Sequence, residues 1–402
     1  MPLTSNRTYW LSTTYDLSPY ARSHEPRDGG ILVIGSGLAG TSVAHHLLEK
    51  KIFDKISIVD CGTPNASYAR NAGHILHGAG ESYKATVDIH GEKKAKTIME
   101  MSKAFIDELK YTSAIHGVPC DLQSGPYYRV AIDEAEESEL RSSVELNKRW
   151  MPKWADKKEL KDIGLVGAAG AYKCQQSLSG NPAMFRNALL ARCFHKGVGY
   201  YTCKVKSIEE INGRVRVSYE GNAAKDTWHD AVVICTNAYS QGIGGFFQKK
   251  KSIEPFKGQI IVSHPCKEEF KFKGPFSMDH GYIYGTFLPD NRLLIGGWRN
   301  NVPGGEIGCT DLTINKDTEK GLMEFAKEHI AYDLEWNFSW AGIMGSSNGG
   351  LPHVGPTDSD LIYSCAGFSG YGFGWAHGAA KLCADIMAGD DLIEGWELLR
   401  PR

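Results

Sequence analysis

The chain has 402 residues, of which 42% are hydrophobic, and its formal net charge is −2. The length predicts about two domains with a sizeable core, and the near-neutral charge gives no electrostatic reason to expect binding to nucleic acid or to an anionic membrane. No apolar run approaches the roughly 20 residues that a membrane-spanning helix needs.

The N-terminal segment 1–28 and the cysteines bear on location and partners. The segment lacks the apolar core of a secretory signal, and it carries Tyr9, Trp10, Tyr15 and Tyr20 among polar residues. We expect an arm on the surface of the same subunit or of a neighbouring one, as in a homodimer, with a disordered tail as the alternative. The ten cysteines are scattered without a C-x-x-C pair. This pattern predicts reduced thiols, a cytoplasmic protein and no metal site.

Residues 29–60 predict a strand, a glycine turn, a helix and a second strand. The apolar run ILVI precedes Gly35, Gly37 and Gly40 in G-x-G-x-x-G spacing. Gly35 would allow a tight turn, Gly37 a close approach of a pyrophosphate, and Gly40 the packing of the helix on the strand. Asp60 ends the second strand, where a carboxylate can accept hydrogen bonds from a ribose. This order predicts a dinucleotide site for NAD or FAD, and an ordinary glycine-rich turn is the alternative.

The remaining elements follow from hydrophobic periodicity and turn residues. Helices are predicted over residues 84–116, 133–150, 182–195, 317–331 and 375–387. Strands are predicted over residues 198–202, 205–210, 214–219, 231–235, 258–263, 281–286, 292–296 and 361–365. Asn212-Gly213 is a hairpin turn signal, and Pro182 suits the first turn of its helix.

Five segments follow one another in a distinctive order. They are GSGLAG with Asp60, YARNAGHI, AVVICTNAYS, EPFKGQIIV, and GLPHVGP…LIYSCAGFSGYGFGWAHGAA near the C-terminus. Together, over about residues 29–390, they resemble the FAD-dependent amine oxidases related to D-amino acid oxidase, glycine oxidase and sarcosine oxidase. The nearest branch is the gamma-glutamylputrescine oxidase-like one.

The resemblance implies an α/β fold class. A Rossmann-like FAD-binding domain with a parallel sheet would be interleaved with an α+β substrate domain on an antiparallel sheet. The predicted division is residues 1–28 for the arm, residues 29–83, 165–252 and 342–402 for the FAD-binding domain, and residues 84–164 and 253–341 for the substrate domain.

The resemblance also implies FAD as the cofactor. The glycine turn would hold its ADP part, the backbone of Val205 would contact adenine, and the loop 367–370 would cover the edge of the isoalloxazine. The helix after that loop would direct its positive dipole end toward the reduced flavin. The predicted cofactor-binding residues are Gly35, Gly37, Leu38, Ala39, Gly40, Asp60, Cys61, Arg70, Asn71, Ala72, Gly73, His74, Val205, Thr236, Asn237, Gly342, Gly367, Phe368, Ser369, Gly370, Tyr371 and Gly372.

The implied reaction is hydride removal from the carbon beside an amine nitrogen. The imine would hydrolyse, and O2 would reoxidise the flavin to give hydrogen peroxide. The cofactor supplies this chemistry, so the protein needs to orient the C–H bond and favour the neutral amine, and no strong general base is required. The catalytic candidates are Lys257, Tyr282, Tyr284, His353 and Tyr371.

Three of these candidates also have an ordinary structural interpretation. Sarcosine oxidase-like relatives carry an oxygen-activating lysine where this chain has Leu294, so Lys257 would be its substitute, or a surface lysine at a strand start. Tyr282 and Tyr284 alternate in a predicted strand, where their rings would shape an amine pocket or pack in the core. By resemblance, His353 and Tyr371 flank the flavin.

The expected substrate follows from a missing arginine. Met344 stands about where relatives that oxidise free α-amino acids carry an arginine for the carboxylate. This argues against a glycine- or D-amino-acid-type site and favours a small amine that lacks a free α-carboxylate beside its nitrogen. Arg299 could serve a carboxylate instead. His74 and Cys309 are the nearest candidates for covalent flavin attachment.

Two functions of other classes stay open. The departures at Leu294 and Met344, together with the aromatic arm, are compatible with a flavoprotein that modifies or serves another protein. An NAD-dependent dehydrogenase is weaker, because the predicted cofactor fold returns near Asn237 and again at the C-terminus, as FAD folds of this type do.

Overall fold

A computed structural model describes residues 4–5, 8–15, 17, 20–62, 67–80, 82–221 and 225–402. Its α-helices are α1 (Tyr9–Ser12), α2 (Leu38–Lys50), α3 (Tyr83–His90), α4 (Glu92–Ile115), α5 (Glu134–Leu146), α6 (Lys157–Asp162), α7 (Pro182–His195), α8 (Gly245–Lys250), α9 (Lys316–His329) and α10 (Gly372–Ala388). None of these described helices is both long and apolar enough to cross a membrane.

The strands fall into three sheets. They are β1 (Thr4–Ser5), β2 (Ile31–Ile34), β3 (Ile56–Asp60), β4 (His74–Ile75), β5 (Gln123–Ala131), β6 (Lys153–Ala155), β7 (Gly170–Ser179), β8 (Gly199–Thr202), β9 (Val205–Ile211), β10 (Arg214–Tyr219), β11 (Thr227–His229), β12 (Ala231–Ile234), β13 (Ile253–Ser263), β14 (Gly274–Met278), β15 (Ile283–Phe287), β16 (Leu293–Gly297), β17 (Trp336–Ser347), β18 (His353–Ser359) and β19 (Ile362–Ala366).

The first sheet has six strands in the order β18-β19-β12-β2-β3-β8. All neighbours are parallel except the edge strand β18. Successive residues of β2 face opposite sides, so Ile31 and Val33 pack among α2 and α10, whereas Leu32 and Ile34 pack against β9 and β10. Because both faces are covered, the strand reads as a continuous apolar run.

The second sheet has ten strands in the order β1-β17-β13-β16-β15-β14-β5-β7-β4, with β6 paired to β7. Its pairs are antiparallel except β1 with β17 and β5 with β14. One face packs on α9 through Leu322 and Phe325. A parallel sheet and a largely antiparallel sheet in one chain confirm the predicted α/β fold class.

Several elements have bounds in the structure that differ from the predicted ones, and others agree. The predicted helix 84–116 is two helices, because Gly91 separates them with φ +79° and ψ 155°. The predicted strand 281–286 contains Tyr282, but in the structure Tyr282 precedes the strand, since β15 begins at Ile283. Asn181 caps α7 through its side chain, as its position before Pro182 predicts. Asn212 and Gly213 both have positive φ in the predicted hairpin turn.

The sheet boundaries differ from the predicted domain boundaries. β4, β7 and the end of β17 belong to the ten-stranded sheet, although residues 29–83, 165–252 and 342–402 are assigned to the FAD-binding domain. Long-range strand pairing decides this membership, and local sequence pattern does not report it. The domain division therefore stays a prediction.

The described part of the N-terminal segment packs on this chain. β1 pairs with β17, and Trp10 is only 4% exposed. The Trp10 indole donates to the Asn71 carbonyl at 2.7 Å. Tyr15 and Tyr20 are exposed. The buried indole ties the segment to the loop that precedes β4.

Candidate active site

A cavity of about 450 Å³ extends from the N-terminus of α2 to the ten-stranded sheet. The N-terminal turn of α2 lines one end, strands β13, β15 and β17 line the other, and the start of α10 also contributes to the lining. Predicted cofactor and catalytic residues that line it are Gly37, Leu38, Ala39, Arg70, Asn71, Ala72, His74, Asn237, Tyr282, Tyr284, Gly342, Phe368, Ser369, Gly370, Tyr371 and Gly372.

The glycine turn has a different constraint at each glycine. Gly35 has φ +100°, a conformation that L side chains rarely adopt. A Cβ on Gly40 would lie 1.8 Å from the Gly35 carbonyl oxygen, so only glycine lets α2 pack this close. A Cβ on Gly37 would meet no atom within 4 Å among the described residues. The space beside Gly37 is therefore open on the side where a pyrophosphate would approach.

The first turn of α2 is free of side chains that would compete with an anion. No side chain caps the helix at Gly37, and its first turn has no acidic residue. The first backbone N–H groups of a helix have no intrahelical acceptor, and they carry the positive end of the helix dipole. Leu38 and Ala39 carry such N–H groups and line the cavity. This end fits the pyrophosphate of a dinucleotide.

Asp60 stabilises the glycine turn. Its Oδ2 accepts hydrogen bonds from the Ser36 N–H at 2.8 Å and the Ser36 hydroxyl at 2.9 Å. Its Oδ1 accepts from the Gly62 N–H at 3.0 Å. Arg186 on α7 donates from Nε to the Ser36 carbonyl and from Nη2 to the Ser36 hydroxyl, both at 2.7 Å. Sequence reasoning missed Arg186, which gives no signal beyond its place on a predicted helix.

The loop before β4 is fixed against β17. Arg70 is buried, and it donates from Nη1 to the Ala341 carbonyl. The Arg70 carbonyl accepts from the Trp340 indole at 3.1 Å. A Cβ on Gly342 would lie 3.0 Å from the Arg70 Cβ. Arg70 and Gly342 thus hold this loop beside the cavity through main-chain contacts.

The rest of this loop ends at His74, the first residue of β4. The Asn71 side chain folds back to accept from the Gly73 N–H at 2.9 Å, and Ala72 accepts at its carbonyl from the Thr286 hydroxyl. The His74 Nε2 lies 2.9 Å from the Gly285 carbonyl. Burial lowers the pKa of His74 to about 4. His74 is therefore neutral at physiological pH and faces the cavity.

The loop after β19 is fixed by an asparagine. The Asn237 Oδ1 accepts from the Gly367 N–H at 2.9 Å and the Phe368 N–H at 3.2 Å. Ser369, at φ +49°, donates its N–H to the Gly345 carbonyl at 2.8 Å. The Tyr371 hydroxyl donates to the Gly80 carbonyl at 2.9 Å. These bonds place the start of α10 at the cavity.

The far end of the cavity is aromatic and cationic. The Arg299 guanidinium carbon lies 5.0 Å from the Tyr282 ring centre and 4.9 Å from the Phe256 ring centre. Arg299 also donates from Nη1 to the Gly305 carbonyl at 3.5 Å. Burial raises the pKa of Tyr284 to about 12, so its hydroxyl is neutral. Met344 lines the same region.

Tyr127 and Arg129 are among the further cavity residues that sequence reasoning missed. Arg129 is buried and donates to the carbonyls of Gly80 at 2.9 Å and His280 at 3.1 Å. The Tyr127 hydroxyl lies 2.5 Å from the Ser277 hydroxyl. The alternation of residues 127–132 indicates a strand, but it gives no sign that this strand lies beside the glycine turn in space.

The structure does not place two catalytic candidates at the cavity. Phe256 and Gly258 line it, so Lys257 between them extends from the other face of β13. There its ammonium lies 3.2 Å from the Glu306 carboxylate. Burial acts to lower the pKa of Lys257, but the Glu306 carboxylate outweighs burial and raises it. His353 is buried 3.4 Å from the Ser252 carbonyl, and burial lowers its pKa.

Some predicted cofactor residues also lie outside the cavity lining. They are Gly35, Gly40, Asp60, Cys61, Gly73, Val205, Thr236 and Gly367. Gly35, Gly40 and Asp60 shape the glycine turn without lining the cavity. Of the two candidates for covalent attachment, His74 lines the cavity and Cys309 does not.

Comparisons with known proteins agree with this architecture. The family model DAO, described as FAD dependent oxidoreductase, matches residues 30–386. The probable oxidoreductase OrdL of Haemophilus influenzae is 25% identical over 377 residues, which are 90% of this chain and 83% of that protein.

Two solved structures share the fold. Glycine oxidase from Geobacillus kaustophilus aligns with a TM-score of 0.77 at 18% identity, over 92% of this chain and 98% of its own. L-proline dehydrogenase from P. horikoshii aligns with a TM-score of 0.75 at 19% identity, over 94% and 100%. At these identities the likeness shows the fold alone.

Proposed function

The chain belongs to the DAO family of FAD-dependent oxidoreductases, and from this premise we propose that it oxidises a small amine or an amino-acid derivative at the carbon beside the amine nitrogen. FAD would accept the hydride, and the imine would leave to hydrolyse. O2 would serve as the final acceptor and yield hydrogen peroxide. The gamma-glutamylputrescine oxidase-like branch belongs to this proposal, as does a location in the cytoplasm.

One observation supports the proposal most strongly. A single cavity joins the open N–H groups at Leu38 and Ala39 to the aromatic and cationic end at Tyr282, Tyr284 and Arg299. A dinucleotide held by its pyrophosphate at the first end would direct its ring system toward the second. The substrate would then lie between that ring system and the tyrosines.

The protein's part in the reaction would be orientation and exclusion of water. The rings of Phe256, Tyr282 and Tyr284 would shape an apolar wall on which the C–H bond is positioned. Neutral His74 offers no positive charge that would repel an ammonium group. None of these residues is required to act as a strong base. The proposal therefore needs binding geometry and the cofactor, and no catalytic dyad.

Arg299 supports a substrate with an acidic group away from the reacting carbon. Met344 offers no charge at the position expected for an α-carboxylate ligand, whereas Arg299 brings a guanidinium to the same cavity. A guanidinium binds a carboxylate through two parallel hydrogen bonds. An amine with a distal carboxylate would fit this arrangement better than glycine or D-alanine.

Anaerobic flavin reduction tests the reaction class. Purified holoprotein would be mixed with a panel of polyamines, N-acyl polyamines with and without a carboxylate, and N-methyl amino acids. Bleaching of the flavin by one class, followed by peroxide release in air, is the expected result. Faster reduction by glycine or D-alanine would contradict the substrate assignment, and no reduction by any amine would contradict the reaction.

Purification of the holoprotein, together with the amine panel, also tests the alternative functions. Exposed Tyr15 and Tyr20 leave room for a protein partner or a second subunit, and stable co-purification without amine turnover would favour a flavoprotein that serves another protein. The NAD-dependent dehydrogenase is not retained, because the family match is to FAD-dependent oxidoreductases.

A further inference from the structure

A second polar cluster lies in the described helices away from the cavity, where α2, α4 and α10 meet. His46 on α2, Glu108 on α4 and His377 on α10 each place one potential ligand atom so that all three atoms lie within 4.8 Å of one another. His46 is 5% exposed and His377 is 2% exposed. Neither the amine oxidation nor FAD binding uses this cluster.

His46 presents an unused acceptor. Its Nε2 is buried and has no hydrogen-bond partner among the described residues. A neutral imidazole with an unpartnered nitrogen provides a lone pair for a metal ion.

His377 is oriented by hydroxyl groups on both sides. Its Nδ1 lies 2.9 Å from the Ser42 hydroxyl, and its Nε2 lies 2.8 Å from the Thr112 hydroxyl. When Nδ1 donates to Ser42, Nε2 has the lone pair and faces α4. Metal-bound histidines have this kind of outer partner, which fixes the ring and its tautomer.

Glu108 supplies the third donor. It precedes Thr112 by one helical turn, so both side chains extend from the same face of α4. Glu108 is half-buried, burial raises its pKa, and its carboxylate makes no hydrogen bond or ion pair with the part of the chain that the structure describes. The exposed half of the side chain gives an ion a route from solvent.

The helices approach closely enough to bring these donors together. A Cβ on Gly378 would lie 2.3 Å from the Phe105 Cα, so glycine is needed where α10 crosses α4. Phe105 stands one turn before Glu108, and Gly378 follows His377. The crossing point therefore lies at the cluster itself.

Nearby cations are engaged by other groups. Lys381 pairs with Asp385 at 2.8 Å, and Arg192 pairs with Glu49 at 3.3 Å. The ring of His45 lies 5.0 Å from that of His46 and 5.4 Å from that of His116. The cluster thus retains two imidazoles and one carboxylate for an incoming ion.

We propose that His46, Glu108 and His377 form a binding site for a divalent transition-metal cation, with Zn²⁺ as the preferred ion. Two imidazoles, one carboxylate and a water give the four-coordinate donor set that Zn²⁺ accepts. The donor atoms, now within 4.8 Å of one another, must approach to about 3.4 Å, the spacing of tetrahedral ligands about 2.1 Å from Zn²⁺, and the His377–Thr112 hydrogen bond must open. The bound ion would join α2 and α10, whose N-termini line the cofactor cavity, to α4.

Zinc binding to the holoprotein tests this site. After treatment with a chelator and its removal, wild-type protein would be titrated with Zn²⁺ in competition with a chromophoric chelator, and zinc would be counted after gel filtration. One Zn²⁺ per chain and a rise of several degrees in the melting temperature are expected, because an ion that binds only the folded state stabilises it. Co²⁺ in its place would show d–d absorption bands of a four-coordinate site.

Three variants separate this site from surface binding. Glu108→Gln keeps the volume of a half-buried side chain, and His46→Gln removes the unpartnered nitrogen. Each removes a direct ligand, so Zn²⁺ binding should weaken by more than the roughly 10- to 100-fold that loss of an outer partner causes. The matched control His116→Gln changes a neighbouring histidine outside the donor set and should leave the affinity unchanged. Flavin content shows that each variant is folded. The proposal would be overturned if the wild type bound no stoichiometric zinc, or if Glu108→Gln and His116→Gln bound Zn²⁺ equally well. The cluster would then be a hydrogen-bonded polar network without a metal.

Discussion

The two ends of the cavity are built from different parts of the polypeptide. At the glycine turn, backbone atoms set the geometry, and three glycines and the Asp60 carboxylate leave little freedom. At the far end, side chains from β13, β15 and the segment after β16 meet, although the backbone is tight there as well, since a Cβ on Gly297 would lie 1.7 Å from the Tyr282 carbonyl oxygen. The first end therefore presents backbone N–H groups to a ligand, whereas the second presents side chains that single substitutions can change.

Substitutions at the two ends of the cavity should also impair different properties of the enzyme. A substitution at the glycine turn should abolish cofactor binding whatever the substrate. A substitution at the far end should leave the flavin in place and change which amine is oxidised. The following predictions test that separation, beginning with the largest effect.

Gly40→Ala should damage the fold and the cofactor site together. The added Cβ would lie 1.8 Å from the Gly35 carbonyl oxygen, so α2 must move away from β2 at a cost of about 3 kcal/mol. Lower flavin content and a lower free energy of unfolding of the apoprotein, measured by denaturant titration, are expected. An apoprotein as stable as the wild type would show that α2 can shift freely.

Gly37→Ala should lose cofactor without losing stability. Its Cβ meets no described atom within 4 Å, but it would occupy the space that a pyrophosphate needs. We expect apoprotein stability within about 0.5 kcal/mol of the wild type and a large fall in FAD affinity, measured by fluorescence titration. Unchanged FAD affinity would place the pyrophosphate elsewhere.

Arg299→Gln should change substrate preference and leave the flavin bound. For an amine with a distal carboxylate, KM should rise about 10- to 100-fold, the loss expected when a charged hydrogen bond is removed. For a neutral amine, KM should change little. Arg214→Gln, on the surface strand β10, is the control and should affect neither. An equal rise for both amines would assign Arg299 to packing on Phe256 and Tyr282.

Acid should weaken the cofactor-binding part through a buried histidine. His229 is fully buried beside the Gly29 carbonyl, and burial lowers its pKa to about 4. Between pH 6.5 and 4 the unfolded chain binds this proton and the folded chain does not, so the free energy of unfolding falls as the pH falls, by about 1–2 kcal/mol from pH 7 to pH 5. Denaturant titrations at the two pH values measure this loss, and His229→Gln should show a smaller one.

Tyr284→Phe should have the smallest effect. Burial raises the pKa of Tyr284 to about 12, so its hydroxyl is neutral at working pH and is not a base. We expect kcat to fall less than about tenfold and the alkaline limb of the pH profile to stay in place. Loss of that limb in the variant would assign a proton-transfer role to Tyr284.

The cofactor end was predictable because its signals are local. The spacing of Gly35, Gly37 and Gly40 and the acid at Asp60 all lie within one βαβ unit, and the structure brings them into one turn. The same holds for Asn181 and Pro182 at the start of α7. In each case, neighbours along the chain are neighbours in space, so sequence spacing reports geometry directly.

The substrate end was only partly predictable because strand pairing creates it. Tyr282, Tyr284 and Arg299 line the cavity, but Lys257 extends from the opposite face of β13, a difference of one residue in register. Tyr127 and Arg129 reach the cavity through pairing of β5 with β14. Nothing in the local pattern of either segment specifies that pairing.

The sequence by itself determined a dinucleotide turn, because short-range glycine and carboxylate spacing encodes it, and the family resemblance of five ordered segments indicated the α/β fold class and FAD. Only the tertiary structure decided which side chains face the cavity, since strand register places residues far apart in sequence side by side. The same reason explains the cluster of His46, Glu108 and His377. Its donors come from three helices far apart along the chain, and only the packing of α2, α4 and α10 on one another brings them within reach of one ion.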